Sequence, residues 1–479
     1  MELWQLTVTG LQQAYRSRAC SPREVVEALL DRISRHDGAL GAFRQVLDAP
    51  ARAEASALTE ELAAGRSRGP LHGIPFAVKE LIDVGGASGC CGSKVLAGRV
   101  GRRDAEAVRR LRAAGGIVLG VTRSHEFGWG ITTQHAELGS TRNPWDPGLV
   151  PGGSSGGSAV AVATGMAPLA LGTDAGGSIR IPASACGITG LKPTFGRVSK
   201  EGVVPLAPSL DHIGVLGREV ADLAVALEAL AGFDPGDPTM PADPPPLRPL
   251  PGTESLAGVR VAVLPALHLT PLSPEYEMAF RAARAAAAAA GAQVLEVGFA
   301  HPERVRPAFA AIQMAEAYHA HAATLGTYPA RASDYGPDVR ERLEMAAAVT
   351  LQDYLEARAE CLLVRRRFEA VFRDADVFLT PVMAGPPSPV ADPDRVSHRG
   401  GTIPFRDLVM PYTVPQNLTG LPAVAVPAGF DSGGVPIGIQ VTAPWWREDL
   451  ALQVGALLHR RLGAEGCWPP FPPGDGAAR

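Results

Sequence analysis

The stretch of sequence that decides the fold is residues 151–180, PGGSSGGSAVAVATGMAPLALGTDAGGSIR. It contains two glycine-rich turns that present serine, residues 152–158 and 173–178, and a helix of small residues is predicted between them over 159–164. A short apolar strand, residues 169–172, leads into the second turn. Glycine tolerates positive φ and a close approach of the backbone, so successive N–H groups in such turns can converge on one oxygen atom. A flexible linker is excluded because both turns lie between apolar elements and not between domains.

Upstream of these turns, the sequence alternates between strand and helix. Residues 74–78 and 116–121 are short and apolar, as buried strands are, and residues 104–114 between them are predicted to form a helix. This alternation predicts a mixed, mostly parallel β-sheet sandwiched by α-helices, which is the α/β class. Nearer the N-terminus, Ser21 and Glu24 form a capping box that opens a helix to about residue 36.

The same periodicities continue in the C-terminal half of the chain. They predict a helix over 220–230, a strand over 259–264, a helix over 274–291, a strand over 377–379 and a hairpin of residues 423–426 and 437–441. Eight prolines between residues 235 and 251 exclude regular structure there, so this segment is predicted to be a surface connection.

Length and composition limit the classes of protein to which the chain can belong. Its 479 residues, 46% hydrophobic and 20% charged, exclude a disordered or fibrous chain. Forty-five basic and 49 acidic residues leave a net charge of −4, which argues against nucleic acid or a membrane surface as the main partner. The N-terminus lacks a signal-peptide pattern and no apolar run could span a bilayer, so we expect a cytoplasmic protein. Six scattered cysteines without a C-x-x-C motif predict neither a zinc site nor a disulfide framework.

The serines of the two turns allow three kinds of chemistry. Phosphate binding is disfavoured because residues 152–158 lack the Lys–Ser/Thr pair that ends a P-loop, and neither turn offers G-x-G-x-x-G after a strand. A nucleophile elbow would match G-x-S-x-G at residues 152–156 with Ser154 as nucleophile, but the prolines before the turn exclude the strand that this motif requires. The third interpretation is a serine nucleophile activated by a lysine, a known solution to acyl transfer.

Lysine is rare in this chain, which makes each lysine informative. Only four of the 45 basic residues are lysine, namely Lys79, Lys94, Lys192 and Lys200. Lys79 directly follows the apolar strand, a position in which burial would lower the pKa of the ammonium group and let it act as a base. Arginine could not replace it, because a guanidinium stays protonated in proteins. The alternative, an ordinary lysine at a strand end that pairs with Glu80 or Asp83, stays open.

Six motifs together resemble the amidase signature family. In chain order they are GIPFAVK (residues 73–79), GGSSGGS (152–158), GTDAGGSIR (172–180), CGITGLKPT (186–194), SLDHIG (209–214) and NLTGLP (417–422). Their order and spacing run through most of the chain, whereas residues 235–375 are only loosely similar. Glu80 is a small departure, since aspartate is usual after the lysine.

The resemblance implies a single α/β amidase domain over residues 1–479. Its parts are a signature core at about 72–231, the proline-rich connection at 235–251 and a C-terminal α/β part at 257–465. The resemblance also implies a Ser–Ser–Lys hydrolase that needs neither a metal nor an organic cofactor.

The same resemblance implies a role for each residue of the two turns. Ser178 is implied as the nucleophile, Ser154 as a bridging serine after a cis peptide bond, and Lys79 as the base. The implied oxyanion hole consists of the backbone N–H groups of Ala175, Gly176, Gly177 and Ser178. Asp174 and Arg180 are expected to be structural, because they hold the second turn.

Three further residues are weaker candidates. Trp129 falls where family members often line the acyl pocket, and plain core packing is its alternative. Arg342 lies in a region where glutamine-using relatives recognise a carboxylate, but we expect it to be a solvated helix arginine. His125 is expected to be structural.

A metal site is not expected. Glu316, His319 and His321 share a predicted helix, but a metal site of this kind needs a second such group from another helix. Cys90 and Cys91 belong to no recognisable motif.

Three functions are compatible with these residues. We favour a stand-alone amidase that hydrolyses a carboxylic amide C–N bond through a seryl acyl-enzyme and releases ammonia or an amine. The alternative is the A-type glutaminase of a tRNA-dependent amidotransferase complex. Ile181 argues against it, because those glutaminases usually carry glutamine at this position. A scaffold with a dead site is disfavoured, since Lys79, Ser154 and Ser178 are all present.

The expected partner is a small-molecule amide, with no direct contact to nucleic acid or membrane. The sequence does not identify the amide, and it leaves open whether the chain forms a homodimer.

Overall fold

The structure is a computed structural model that describes residues 2–135, 137–252, 254–463 and 466–470. Both ends of the predicted domain, residues 1 and 479, lie outside these ranges. Within them the chain forms the strands β1 (Phe43–Val46), β2 (Pro75–Lys79), β3 (Ile117–Thr122), β4 (Leu169–Asp174), β5 (Thr189–Lys192), β6 (His212–Gly217), β7 (Arg260–Val263), β8 (Gln293–Glu296), β9 (Val377–Pro381), β10 (Arg395–His398), β11 (Gly401–Pro404), β12 (Ala423–Phe430) and β13 (Pro436–Thr442).

Helices alternate with these strands along the chain. They are α1 (Val8–Arg16), α2 (Pro22–Leu40), α3 (Asp48–Ala63), α4 (Glu106–Ala113), α5 (Gly156–Ala163), α6 (Arg180–Cys186), α7 (Val220–Leu230), α8 (Pro274–Ala289), α9 (Val305–His319), α10 (Pro337–Ala346), α11 (Leu351–Asp374), α12 (Phe405–Thr419) and α13 (Glu448–Arg461). None of the described helices is long and apolar enough to cross a lipid bilayer.

Eleven strands form one sheet in the order β1-β3-β2-β4-β6-β5-β12-β13-β9-β7-β8. Strands of the expected signature core and of the C-terminal part meet at the β5–β12 pair, so both parts contribute to the same sheet. The remaining two strands, β10 and β11, pair separately as a hairpin.

The α/β class and the mixed sheet between helices are confirmed, and the strand directions add a detail. Among the described residues the parallel pairs are β2–β3, β2–β4, β7–β8 and β7–β9, while the other six neighbouring pairs of the large sheet are antiparallel. The antiparallel pairs dominate the centre. One reason is that β12 and β13 are joined by the short segment 431–435, which cannot make the long crossover that parallel strands require.

Local sequence signals account for several element boundaries. The Ser21 side chain accepts a hydrogen bond from the Glu24 N–H, and Glu24 reciprocates, so α2 begins where the capping box predicts. The helix runs beyond the predicted residue 36 and ends at Gly41, whose φ of +64° suits glycine. Residues 235–251 contain neither helix nor strand, in agreement with their prolines.

One edge of the sheet positions the site. Strands β2 and β4 are parallel neighbours, and both are fully buried. Because they run in the same direction, their last residues, Lys79 and Asp174, lie at the same edge. In open α/β sheets the carboxyl ends of parallel strands are the usual place for a functional site.

Candidate active site

Lys79, the last residue of β2, is completely buried. Its Nζ donates hydrogen bonds to Ser154 Oγ and to Thr173 Oγ1, each at 2.7 Å. Burial lowers the pKa of Lys79 from 10.5 to about 7, although the negative charges of Asp174 and Asp211 oppose this shift. Near neutral pH a large fraction of this lysine is therefore unprotonated, which a base requires.

The ordinary alternative for Lys79, an ion pair with Glu80 or Asp83, is wrong. The Glu80 carboxylate accepts a hydrogen bond from the Ser124 N–H at 2.8 Å and lies 3.3 Å from Arg44 Nε. Asp83 pairs with Arg99 at 2.6 Å. Both carboxylates are therefore engaged by groups other than Lys79.

The first glycine-rich turn brings Ser154 to Lys79. The peptide bond between Gly153 and Ser154 is cis, as the resemblance implies. A Cβ atom at Gly153 would lie 2.7 Å from the Thr132 backbone nitrogen, so only glycine fits at this point of the turn. Residues 150–155 contain no strand, which excludes the nucleophile-elbow interpretation of Ser154.

The second glycine-rich turn, residues 173–178, places Ser178 beside Ser154, since both serines line the same small pocket. The Ser178 side chain is 6% exposed, and its hydroxyl makes no hydrogen bond within the described part of the chain. Its backbone carbonyl accepts a hydrogen bond from the Ser155 N–H at 3.2 Å, which ties the two turns together. The structure thus brings together Lys79, Ser154 and Ser178, with one hydrogen bond made and the hydroxyl of Ser178 free.

The predicted oxyanion hole needs one correction, at Gly177. The Gly177 N–H donates a hydrogen bond to Asp174 Oδ1 at 2.7 Å, so it is not available to a substrate oxygen. In the described residues, no acceptor takes up the N–H groups of Ala175, Gly176 and Ser178. Three of the four predicted donors therefore have no competing acceptor among the described residues.

Arg180 holds the second turn from beneath and is completely buried. Its guanidinium contacts both oxygens of Asp174 at 3.1 Å, an ion pair that supports the structural role expected for both residues. Its other partners are Gln416 Oε1, Gln440 Oε1, Asn417 Oδ1 and the Thr413 carbonyl. Among these, only Asn417 lies in a motif that the sequence singled out.

A cavity of about 440 Å³ opens beside the second turn, and we call it the outer cavity. Its lining includes Trp129, Phe309, Met410, Asp338, Arg342 and Arg406. A Cβ atom at Gly176 would lie 2.9 Å from Phe309 Cζ and 3.6 Å from Met410 Cε, so these two side chains connect the cavity to the turn. Trp129 both packs in the core and lines the cavity, and its Nε1 donates to Gln313 Oε1 at 3.1 Å.

Arg342 is not the solvated helix arginine that the sequence led us to expect. Its side chain is only 11% exposed, and it forms an ion pair with Asp338 one turn earlier in α10. Its Nη1 atom is buried and makes no hydrogen bond to any described residue. Burial, together with the nearby charge of Arg406, lowers the pKa of Arg342 to about 9. Arg342 therefore contributes a largely buried guanidinium to the wall of the outer cavity, and a group of this kind is suited to bind an anion.

The remaining polar candidates have structural partners. His125 Nε2 lies 3.0 Å from Asp338 Oδ2, which agrees with a structural role. Glu316 Oε1 accepts a hydrogen bond from the Ser209 hydroxyl, whereas His321 Nδ1 lies 3.0 Å from the Tyr335 hydroxyl. Across the described residues no group of three or more His, Cys, Asp or Glu side chains could hold a metal ion.

Comparison with known proteins places this geometry among related chains. A family model described as Amidase matches residues 24–452. The A subunit of glutamyl-tRNA(Gln) amidotransferase from Synechococcus sp. strain RCC307 is 37% identical over 470 residues, which cover 94% of this chain and 96% of that protein.

Solved structures are similar over almost the whole chain. A chain from a vestigial protein complex connected with the origins of an s-triazine catabolic enzyme has a TM-score of 0.89 and 35% identity, covering 95% of this chain and 98% of that one. The A subunit of glutamyl-tRNA(Gln) amidotransferase from Thermotoga maritima has a TM-score of 0.80 and 28% identity, with 95% of each chain covered.

Proposed function

Because this chain belongs to the amidase signature family, we propose that it hydrolyses the C–N bond of a carboxylic amide through an acyl-enzyme on Ser178. The observation that carries this proposal is the 2.7 Å hydrogen bond between the buried Lys79 Nζ and Ser154 Oγ. This hydrogen bond links a base to a relay. Burial lowers the pKa of Lys79 to about 7, so Lys79 can act as the base, and the Ser154 hydroxyl can pass to it a proton from the free hydroxyl of Ser178.

The reaction then proceeds in two acyl transfers. Neutral Lys79 takes a proton from Ser154, which takes one from Ser178 as its Oγ attacks the amide carbon. The resulting oxyanion accepts hydrogen bonds from the N–H groups of Ala175, Gly176 and Ser178, each typically worth about 3–4 kcal/mol in the transition state. The C–N bond then breaks as the leaving nitrogen receives a proton from Lys79 through Ser154, and water hydrolyses the acyl-enzyme by the same relay.

The lining of the outer cavity indicates which class of acyl group the substrate carries. Apolar side chains, Phe309 and Met410, lie next to the turn, and Arg342 lies in the wall of the same cavity with an unpaired Nη1. We propose that the acyl chain occupies this cavity and that an anionic group on it, such as a carboxylate, binds Arg342. Amides of dicarboxylic acids and glutamine both belong to this class.

A second candidate function is the glutaminase component of a tRNA-dependent amidotransferase. The curated relatives favour it over the stand-alone amidase that we favoured from the sequence, because the A subunits of glutamyl-tRNA(Gln) amidotransferases match at 37–38% identity over nearly the full chain. The sequence argument from Ile181 loses its force, since Ile181 is completely buried and its Cδ1 packs against Gly177. The anion-binding site proposed at Arg342 suits glutamine as well as other amides that carry a carboxylate.

Two measurements on the isolated chain test these proposals. A fluorophosphonate should label Ser178, and the variant Ser178→Ala should lose both labelling and amide turnover. Labelling of Ser154 in an active Ser178→Ala variant would contradict the assigned nucleophile.

An ammonia-release assay with propionamide, benzamide, glutaramic acid and glutamine separates the two functions. Turnover of one of the first three amides without other proteins supports the stand-alone amidase. Turnover confined to glutamine, and appearing only when the other components of an amidotransferase are added, supports the second candidate.

A further inference from the structure

A second, much smaller pocket contacts the two serines directly, and we call it the inner pocket. Its lining includes Ser154, Ser178, Val204, Leu206 and Asp211. The centre of a water-sized molecule can move within about 10 Å³ of this pocket, which is room for roughly one such molecule. The outer cavity, by contrast, is lined by neither serine.

One wall of the inner pocket carries a carboxylate that the proposed chemistry does not use. Asp211 is 9% exposed, and its Oδ2 accepts hydrogen bonds from the Leu206 and Ala207 N–H groups at 2.9 and 3.0 Å. Its Oδ1 makes no hydrogen bond within the described residues. Burial raises the pKa of Asp211 to about 6, against the opposing charge of Lys200, so it is mostly ionised at neutral pH. The pocket thus has room for one small molecule and an acceptor to receive its N–H or O–H group.

We propose that the inner pocket is the leaving-group site, which holds the ammonia released from a primary amide and then the water that replaces it. The inference rests on the proposed function, because it concerns the same Ser178. The leaving nitrogen must lie within hydrogen-bond reach of Ser154, which returns the proton to it. Ser154 lines the inner pocket, so the nitrogen belongs there and the acyl chain belongs in the outer cavity.

Each step in the pocket balances in atoms and charge. When the tetrahedral intermediate collapses, the C–N bond breaks and its electron pair stays on nitrogen. Nitrogen takes a proton from the Ser154 hydroxyl, which regains one from protonated Lys79, and neutral ammonia results. Asp211 Oδ1 accepts one of its N–H groups. After ammonia leaves, a water molecule in the same position gives a proton to Lys79 through Ser154, and its oxygen attacks the acyl carbon. The bond between that carbon and Ser178 Oγ then breaks, its electron pair stays on Oγ, and Oγ regains a proton from Lys79 through Ser154 as the carboxylic acid leaves.

The size of the pocket predicts a preference for primary amides. A methyl group on the amide nitrogen would have to fit against Val204 and Leu206, which are 5% and 4% exposed. One additional methyl group that a closed pocket must accommodate typically changes kcat/KM by roughly 10- to 200-fold. We therefore expect an N-methyl amide to react at least tenfold more slowly than the primary amide of the same acid, and an N-propyl amide more slowly still.

The test compares leaving groups on a constant acyl group. We would measure kcat/KM for propionamide, benzamide and glutaramic acid and for the N-methyl and N-propyl derivatives of each. Faster turnover of the primary amide supports the leaving-group site. Equal rates for primary and N-alkyl amides would overturn it while leaving the proposed amidase intact. If the series is inert, the same comparison is made between glutamine and N-methylglutamine with the other components of an amidotransferase added; if neither reacts, both the proposed function and this inference fail.

Enlarging the pocket should relax the preference. Val204→Ala is expected to raise kcat/KM for the N-methyl amide relative to the primary amide by about tenfold. Val198→Ala is the matched control, because Val198 is similarly buried at 4% but does not line the pocket. A Val204→Ala variant that changes the preference for acyl groups but not for N-substituents would show that the inner pocket binds the acyl chain, which would refute the inference.

The carboxylate is tested separately with Asp211→Asn. Asparagine can keep its oxygen toward the Leu206 and Ala207 N–H groups while its NH₂ group, a donor, replaces the acceptor that faces the pocket. We expect turnover of the primary amide to fall about 10- to 100-fold, the range for a hydrogen bond to a charged group. Labelling of Ser178 by a fluorophosphonate should be unchanged, since departing fluoride needs no acceptor. The rates of wild type and Asp211→Asn are compared at about pH 9. This pH lies above the Lys79 pKa of about 7, so Lys79 is unprotonated in both proteins even though the Asp211 charge affects its pKa. Unchanged amide turnover would contradict the role of Asp211.

Discussion

Replacement of Lys79 by methionine should make the protein more stable near neutral pH while it abolishes activity. Methionine has nearly the same length as lysine but no charge to desolvate and no basic nitrogen. The fall of the Lys79 pKa from 10.5 to about 7 corresponds to roughly 5 kcal/mol of unfavourable free energy for the buried ammonium. The loss of the hydrogen bonds to Ser154 and Thr173 reduces this gain in stability by about 1 kcal/mol for each bond.

The pH dependence separates the charge from the hydrogen bonds. Below the folded pKa of about 7, both the folded and the unfolded wild type bind the proton, and the folded state carries the full penalty. Between about 7 and 10.5 only the unfolded state binds it, so the stability of the wild type rises with pH in this window. The advantage of Lys79→Met should therefore shrink by roughly 3–4 kcal/mol between about pH 7 and pH 10.

The assay is urea-induced unfolding of the wild type and Lys79→Met across this pH range, with refolding checked at each pH. Lys94→Met is the control, because Lys94 is half exposed and its replacement removes no desolvated charge. A difference in unfolding free energy between wild type and Lys79→Met that stays constant from about pH 7 to pH 10 would refute the reasoning. It would mean that Lys79 does not lose its proton in this range and cannot be the base.

Three further predictions concern other parts of the site. Activity in the ammonia-release assay should rise with pH through an apparent pKa of about 7. Lys79→Arg should be inactive in the same assay, because a guanidinium keeps its proton, and an active variant would exclude a lysine base. Arg342→Met should raise KM for glutaramic acid about 10- to 100-fold and leave KM for propionamide unchanged. Arg340→Met is the control on the same helix, and equal effects of Arg342→Met on both amides would contradict an anion-binding site. Asp174→Asn should lower the free energy of unfolding by about 3–5 kcal/mol, measured with urea, because it leaves the buried guanidinium of Arg180 without its carboxylate; a loss below about 1 kcal/mol would contradict that role.

Local patterns in the sequence were sufficient to predict the class of fold, the two serine-bearing turns and a buried position for Lys79, whereas the roles of Ser154 and Ser178 followed from the resemblance to the amidase signature family. Strand and helix periodicity depends on neighbouring residues, so β2, β4 and α7 were predicted within two residues of their observed ends. The glycine-rich turns were also recognisable, because a backbone that must approach as closely as it does at Gly153 admits no other residue. The position of Lys79 directly after a buried strand identified it as a candidate base.

The tertiary structure alone decided the properties that depend on distant parts of the chain. The depressed pKa of Lys79 results from complete burial by the surrounding elements, and the availability of each N–H group in the second turn depends on Asp174. The sequence placed Arg342 in a region where relatives recognise a carboxylate, but only packing decided that it is buried in the wall of the outer cavity and is not a solvated helix arginine. The free oxygen of Asp211 became significant only in the inner pocket, which Ser178 also lines. Burial, hydrogen-bond partners and electrostatic fields arise between residues that are far apart in sequence, so local patterns determine which groups are present, and packing determines their protonation and their partners.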